Sequence, residues 1–362
     1  MTTGLKSNES VNDHDWAIKF SNFDSAWALT PPAGGKSKGE GIYVVHPDTG
    51  YTEHPELLDG GRVSTDRSLD RCFVGPYAKY QTAHETYQGL VAPGHGTHTG
   101  TVMMSEWGAP SPGIGIRGVN GAAPKVNLIP CRVTNDVFLG DSGDASLARA
   151  IHYACYLSKT IPVGVISISL GSVELGAPND CLRIALKRAK SCGIIVCSAA
   201  GQGKKFMQPD WQSPVYPGKS EDTICVAACD STGAKYDVGF YGQAVDITAP
   251  GVGVWHGKST RVSRKTNYGD YLLLKGVYTI EQGSGTSYAT AITAAACAMW
   301  QAYHGRDALI RKYTKPLLFA AFKRVLINSC HTPAGWDTSK CGAGILDAQK
   351  LLQQSLPAKS SL

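Results

Sequence analysis

Two stretches place reactive side chains at the start of a helix. Gly283-Ser284-Gly285-Thr286-Ser287-Tyr288-Ala289-Thr290 runs straight into a small-residue segment from Ala291 to Trp300. The glycines permit a tight turn, and the alanine-rich run behind them favours a helix able to pack on all sides. Ser287 then stands at a positive helix end, beside N–H groups that have no intrahelical partner. Negative charge developing on a carbonyl oxygen is stabilised by such donors, so a nucleophile suits the position. An ordinary N-cap serine suits it as well. The segment Ala92 to Val102 repeats the arrangement, with His95 between glycines and a run of small residues behind it. His98 raises a zinc pair as a competing idea, but the Glu and the i, i+4 spacing of the zinc-protease helix are missing. The third candidate is Asp48. It follows the apolar stretch Gly41 to His46, a predicted buried strand, and chemistry collects at strand ends in open parallel sheets. Forming a turn is its alternative role.

The remaining pattern supplies elements to position these residues. Val126–Val133, Val163–Leu170, Gly193–Ala199 and Thr223–Ala228 read as buried strands, Gly143–Leu157 and Asn179–Cys192 as helices between them. Strands alternating with helices predict a mostly parallel sheet covered on both faces, an α/β fold. Two terminal helices are expected over Pro316–Asn328 and Ile345–Gln354. Residues 1–15 form a short polar extension, 16–356 a single body and 357–362 a frayed tail. Thr52 to Val91 is polar and irregular, a surface excursion.

Composition bounds the functional classes. The chain has 362 residues, 43% of them hydrophobic, enough for a large core. No apolar run approaches the roughly 18 residues that span a bilayer, and Met1 to Asp15 lacks a signal-peptide core. No membrane partner is expected, and the protein is expected to stay in the cytosol. Lys and Arg number 35 against 29 Asp and Glu, but the basic residues are dispersed and not interleaved with aromatics, so no nucleic-acid site is indicated. The eleven cysteines show no CxxC spacing and are expected to be reduced; export would admit Cys330 with Cys341 or Cys181 with Cys192. Gly113 to Gly118 matches a dinucleotide pattern without a strand before it or a helix after it, and three Gly-Lys-Ser triplets lack the upstream glycine of a phosphate loop.

In chain order the candidates are Asp48, His95, Ser287, the order of the subtilisin triad. The chain resembles the subtilisin-like serine peptidases: Asp48-Thr49-Gly50, His95-Gly96-Thr97-His98 and Gly285-Thr286-Ser287-Tyr288-Ala289 look like that family's three motifs. Gly121–Pro124, Ser169–Gly171, Tyr216–Gly218 and Ala249–Gly251 look like further landmarks. The resemblance implies a three-layer α/β sandwich, and a monomeric serine endopeptidase acting on peptides or proteins through an acyl-enzyme. It further implies that Ser169, Leu170, Gly171 and Val215 shape the pocket for the residue before the scissile bond, and that Ser142 and Gly143 offer backbone to an extended substrate.

Two departures stand out. Ala291 replaces a proline, and Ala199-Ala200-Gly201-Gln202 carries glutamine where the family places an oxyanion-hole asparagine. The extra methylene would set the amide about an ångström too far unless the loop retreats, while retaining a donor. No cofactor or metal is required; structural calcium, common in the family, is not supported by Ser105 to Arg117, which is short of carboxylates. The family's pro-region finds no counterpart, so the chain is expected to become active without removal of a pro-domain. Three rivals remain. An α/β-hydrolase order (Ser287, Asp307, His331) lacks the GxSxG elbow. A peptide-binding pseudoenzyme is suggested by Gln202 alone, and a peptide ligase or cyclase would keep the triad.

Overall fold

The computed structural model describes residues 12–52, 54–58, 69–75, 82–85, 92–106, 118–172, 180–203, 213–260, 263–265, 271–273 and 277–362. Short helices α1 (Trp16–Phe20) and α2 (Phe23–Ala28) lead into β1 (Tyr43–Asp48), followed by α3 (Pro55–Leu58) and β2 (Arg71–Cys72). Next come α4 (His95–Met104), β3 (Asn127–Arg132), α5 (Asp141–Leu157), β4 (Val163–Ile168), α6 (Asp180–Ser191), β5 (Ile195–Ala199), β6 (Ile224–Cys229) and β7 (Ile247–Pro250). An outlying set of strands, β8 (Val254–Thr260), β9 (Ser263–Lys265), β10 (Tyr271–Leu273) and β11 (Val277–Gly283), precedes α7 (Thr286–His304). The chain closes with α8 (Arg306–Tyr313), α9 (Leu318–Ser329), α10 (Thr338–Cys341) and α11 (Ala348–Gln353).

Strands β1 to β7 form one sheet in the order β2-β3-β1-β4-β5-β6-β7, every neighbouring pair parallel. Its central strands are apolar throughout because both faces are covered. Successive side chains point to opposite faces, so Val44, Leu128, Val165 and Ile195 join the core that holds α7, while Val45, Ile129, Ile166 and Val196 join the core under α5 and α6. This is the three-layer α/β sandwich. The α6 helix shows how one face is covered: Leu182, Ala185, Leu186 and Ala189 recur at helical spacing and are buried, and Arg188 and Lys190 sit in its last turn. In contrast, α7 is buried on every side from Thr286 to Ala302, and its alanines let it lie close against β4, β5 and β6.

Several elements differ from the sequence-based expectation. The helix expected from Ile345 begins at Ala348, because Ile345 instead bridges both Thr248 and His331 and Asp347 caps the helix by accepting from the Lys350 N–H. Within the segment expected to be irregular, Arg71 and Cys72 add an edge strand beside β3. The long antiparallel β8–β11 pairing was not anticipated at all. At the chain's end, Lys359–Ser361 makes a 3-10 turn, and Leu356 and Leu362 pack against the core. None of the eleven cysteines, all among the described residues, forms a disulfide, including Cys181, Cys192, Cys330 and Cys341.

Candidate active site

The segments at the carboxyl ends of β4 and β5 line one cleft with the starts of α4 and α7, and β1 ends in contact with the α4 start. Asp48 is the last residue of β1, fully buried beneath the cleft. Its Oδ1 accepts the Thr49 N–H at 2.7 Å and the His95 Nδ1–H at 2.8 Å. His95 opens α4 behind Gly94, which takes φ +81 in the left-handed region. The next residue must also be glycine: a Cβ at Gly96 would stand 1.9 Å from the Gly50 carbonyl oxygen and 3.2 Å from the Asp48 Cβ. That close approach lets the Asp48 loop and the α4 start hydrogen-bond directly, Asp48 with His95 and Thr49 with Gly96.

Electrostatics assign the proton. Burial pushes the Asp48 carboxyl up, but the charge and hydrogen bond of His95, with the Thr49 N–H, hold it below the usual carboxylate range. Burial likewise pulls His95 down, and Asp48 outweighs it, so the imidazole lies above its ordinary value. A second imidazole, His46, faces Asp48 from two residues back on β1, with Nε2 3.6 Å from Oδ2. Its Nε2 also meets the Thr99 hydroxyl at 3.1 Å, and burial keeps it below the ordinary histidine value. His95 is therefore the imidazole that Asp48 charges.

Ser287 is the second residue of α7; Gly285 occupies the N-cap position, so the capping role is not taken by Ser287. Its side chain lines the same cleft as His95. Here the Ser287 hydroxyl donates to the Ser169 carbonyl at 3.3 Å, and the Ser169 hydroxyl donates to the Ser287 carbonyl at 3.0 Å. This reciprocal pair fastens the end of β4 to the α7 start.

Gln202 reaches the cleft from the segment after β5. Its Oε1 accepts the Thr286 N–H at 2.7 Å, with the Thr286 hydroxyl at 3.3 Å. With the carboxamide oxygen engaged, the group Gln202 can offer the cleft is Nε2–H₂. The Ser287 N–H belongs to the same first helical turn, whose donors have no intrahelical acceptors.

Ser169, Leu170 and Gly171 form a cleft wall, with Val215 packed against Gly171. Leu139 N–H donates to the Gly171 carbonyl at 2.9 Å, and Ser172 and Tyr216 exchange hydrogen bonds of 2.9 and 3.1 Å. Ser142 and Gly143 lie inside α5, where Gly143 N–H bonds Gly140 and the Ser142 carbonyl accepts the Ser146 hydroxyl, and neither lines the cleft. Val137 and Phe138, five residues earlier, do line it, and Phe138 is 58% exposed.

The His98 ring packs on the His256 ring, with centroids 4.4 Å apart. Among the described residues no group of three or more His, Cys, Asp or Glu side chains is arranged to hold a metal ion. Of the segment Ser105 to Arg117, weighed for calcium, residues 107–117 lie outside the described residues, as do residues 1–11 of the polar extension. No described helix is long and apolar enough to cross a membrane.

The fold is a three-layer α/β sandwich built on a parallel sheet, with the cleft at the carboxyl ends of its strands. Residues 39–344 match the Subtilase family, and the chain is a member of that family. It is 29% identical over 335 residues to the serine protease AprX of Bacillus subtilis, covering 86% of this chain and 66% of that protein. It is 27% identical over 368 residues to a protein of Xanthomonas campestris pv. campestris named extracellular protease, covering 95% of this chain and 56% of that one. The chain thus spans between half and two thirds of the length of these relatives. A solved protease structure from Pseudoalteromonas arctica superposes with a TM-score of 0.65 at 21% identity, covering 95% of this chain and 99% of that one. One expectation is overturned here. Retention in the cytosol rested on the lack of a long apolar run and on a polar start without a signal-peptide core, neither of which is an address, and the Xanthomonas relative that aligns along nearly the whole chain is named as extracellular.

Proposed function

We propose that the protein is a serine endopeptidase that hydrolyses peptide bonds through Asp48, His95 and Ser287. The observation that carries this reading is the buried 2.8 Å Asp48–His95 hydrogen bond opening onto the cleft that Ser287 lines from a helix start. Asp48 fixes Nδ1–H, so Nε2 is the nitrogen left to act as base. Rotation about the Ser287 Cα–Cβ bond releases the Ser169 carbonyl and presents Oγ to that nitrogen as substrate enters, a tightening expected of an empty cleft. Oγ attacks the carbonyl carbon, His95 takes its proton, and the resulting imidazolium is stabilised by Asp48. The oxyanion lies between the Ser287 N–H and Gln202 Nε2. His95 then returns the proton to the leaving amine, and a water repeats the sequence on the acyl-enzyme. The side chain before the scissile bond lies on Leu170 and Val215, which favours an apolar residue there, and the extended backbone pairs along Val137–Phe138.

An active-site fluorophosphonate probe tests this directly. Wild type is expected to be labelled stoichiometrically and to cleave casein, and Ser287→Ala to lose both while melting at the same temperature. Undiminished proteolysis in Ser287→Ala would reject the assignment. Absence of labelling in wild type would favour a peptide-binding role, and product masses that include an added amine would favour acyl transfer to amines.

A further inference from the structure

Beside the Asp48–His95 pair lies a second buried acid that neither the motifs nor the mechanism above uses. Glu85 is 4% exposed, and its Oε1 accepts the Gly94 N–H at 2.8 Å. Gly94 has no side chain to cap α4, so an acceptor from a distant segment satisfies one of the helix's orphan donors, at the residue immediately before His95. The Glu85 segment is itself pinned to the Asp48 loop: Glu85 N–H bonds the Tyr51 carbonyl at 2.9 Å, and Tyr51 N–H bonds Ala83 at 3.0 Å. The same loop reaches back to α4 where the Thr49 hydroxyl accepts the Gly96 N–H at 3.2 Å. One carboxyl thus joins the two pieces of backbone that carry Asp48 and His95.

We propose that Glu85 is a positioning residue of the catalytic array: its carboxyl seats His95 through the Gly94 N–H and sets a second acidic group, behind Asp48, against the charge of the imidazole. An ordinary cap does not account for the choice of residue, because a neutral acceptor would satisfy Gly94 without burying an acid next to Asp48. Among the described residues the titratable groups around Glu85 are Asp48 and His95, with His46 facing Asp48; on its own segment His84 packs on the ring of Tyr51, whose hydroxyl donates to Asp70. Burial pushes the Glu85 carboxyl up to about 7; the Gly94 N–H opposes this, Asp48 adds to it, and His95 opposes it. In turn, Glu85 contributes to holding His95 above its ordinary value. Each group therefore acts on the protonation of the other: the charged imidazole opposes the rise of the Glu85 carboxyl, and the carboxylate helps to raise His95.

The proposal rests on the Asp48–His95–Ser287 reading, and the experiment separates the two. Turnover of a p-nitroanilide peptide with Phe before the scissile bond is measured from pH 5 to 9 for wild type, Glu85→Ala, Glu85→Gln and Ser287→Ala, each checked for folding by its melting temperature. Persistent turnover in Ser287→Ala defeats the triad reading, whatever the Glu85 variants do. With Ser287→Ala inert, Glu85→Ala is expected to lower kcat by about 10- to 100-fold with KM within about twofold, since a misplaced base costs rate rather than binding. Glu85→Gln keeps an acceptor for Gly94 and is expected to recover most of that loss. Having lost the negative charge, it is also expected to show an acid limb of kcat/KM at lower pH than wild type, because the neutral imidazole persists further into acid. An acid limb that superimposes on wild type in Glu85→Gln overturns the proposal, as does a folded Glu85→Ala with wild-type kcat. If Glu85→Ala does not fold, the Glu85→Gln limb decides alone.

Discussion

At the residue scale, Gln202, which we propose serves the oxyanion, is one of two departures from the family's pattern. Its side chain is held by its oxygen on Thr286 at 2.7 Å, so it has two separable jobs: anchoring the α7 start and presenting a donor. Gln202→Ala removes both. Gln202→Glu keeps an acceptor for the Thr286 N–H but has no N–H to offer and brings a negative charge toward the oxyanion. If Nε2 serves the transition state, Gln202→Glu is expected to lose at least as much kcat as Gln202→Ala, about 10² to 10³, with KM changed far less. Steady-state kinetics on one peptide suffice to check this. Wild-type kcat in Gln202→Glu would place the donor elsewhere and leave glutamine the anchoring job alone.

At the element scale, the site depends on where strands end and helices begin. Gly96 is the tightest such junction, since an added methyl would meet the Gly50 carbonyl oxygen at 1.9 Å. Gly96→Ala is expected to part the Asp48 loop from α4, slowing fluorophosphonate labelling by about 10²-fold and costing about 1–3 kcal/mol or more of stability as overpacking. Labelling at the wild-type rate would show that the loop yields without disturbing the dyad. The same dependence explains what could be read in advance. Asp48, His95 and Ser287 were legible because each sits in a glycine-bracketed local motif, and β1, β3, β4, β5 and β6 because buried parallel strands are continuous apolar runs. The helix α5 was placed correctly in outline, yet Ser142 and Gly143, expected to offer backbone to substrate, lie inside its first turn, while Val137 and Phe138 line the cleft. Motif spacing could not say which side of the helix start faces the cleft. Strands β2 and β7 escaped notice because they have only two and four residues, and the β8–β11 pair because its polar, charged faces show no clean alternation. His46 carried a usable signal: two residues before Asp48 on a strand, it must share Asp48's face. Glu85 carried none, because its partner Gly94 reaches it only through the fold.

At the scale of the whole molecule, the surroundings of the cleft predict how stability responds to acid. His54, His98 and His256 are buried at 0%, 8% and 3% exposure. Burial pulls His54 and His256 down to about 4 and His98 well below its ordinary value, with neighbouring imidazoles pushing in the same direction. Between an ordinary histidine value near 6.5 and about 4, the unfolded chain takes up these protons while the folded chain does not. Stability therefore rises with pH across that window and is lost as pH falls through it, by about 1.4 kcal/mol per pH unit for each net proton. Glu85 runs the other way. Its folded value is raised to about 7, so it contributes stability that is present in acid and lost as pH rises from the ordinary glutamate value toward 7. Three histidines against one glutamate leave a net loss on acidification in the pH 4.5 to 6.5 range. The measurement uses Ser287→Ala to avoid self-digestion: urea midpoints at pH 7.5, 6.5, 5.5 and 4.5 are expected to fall progressively below 6.5. In His256→Gln, which removes one of the opposing protons, the decline is expected to be shallower than in the parent. Midpoints that hold level from 6.5 to 4.5 would mean that these imidazoles are protonated as readily in the folded chain as in the unfolded one, and that the cleft wall admits water to them.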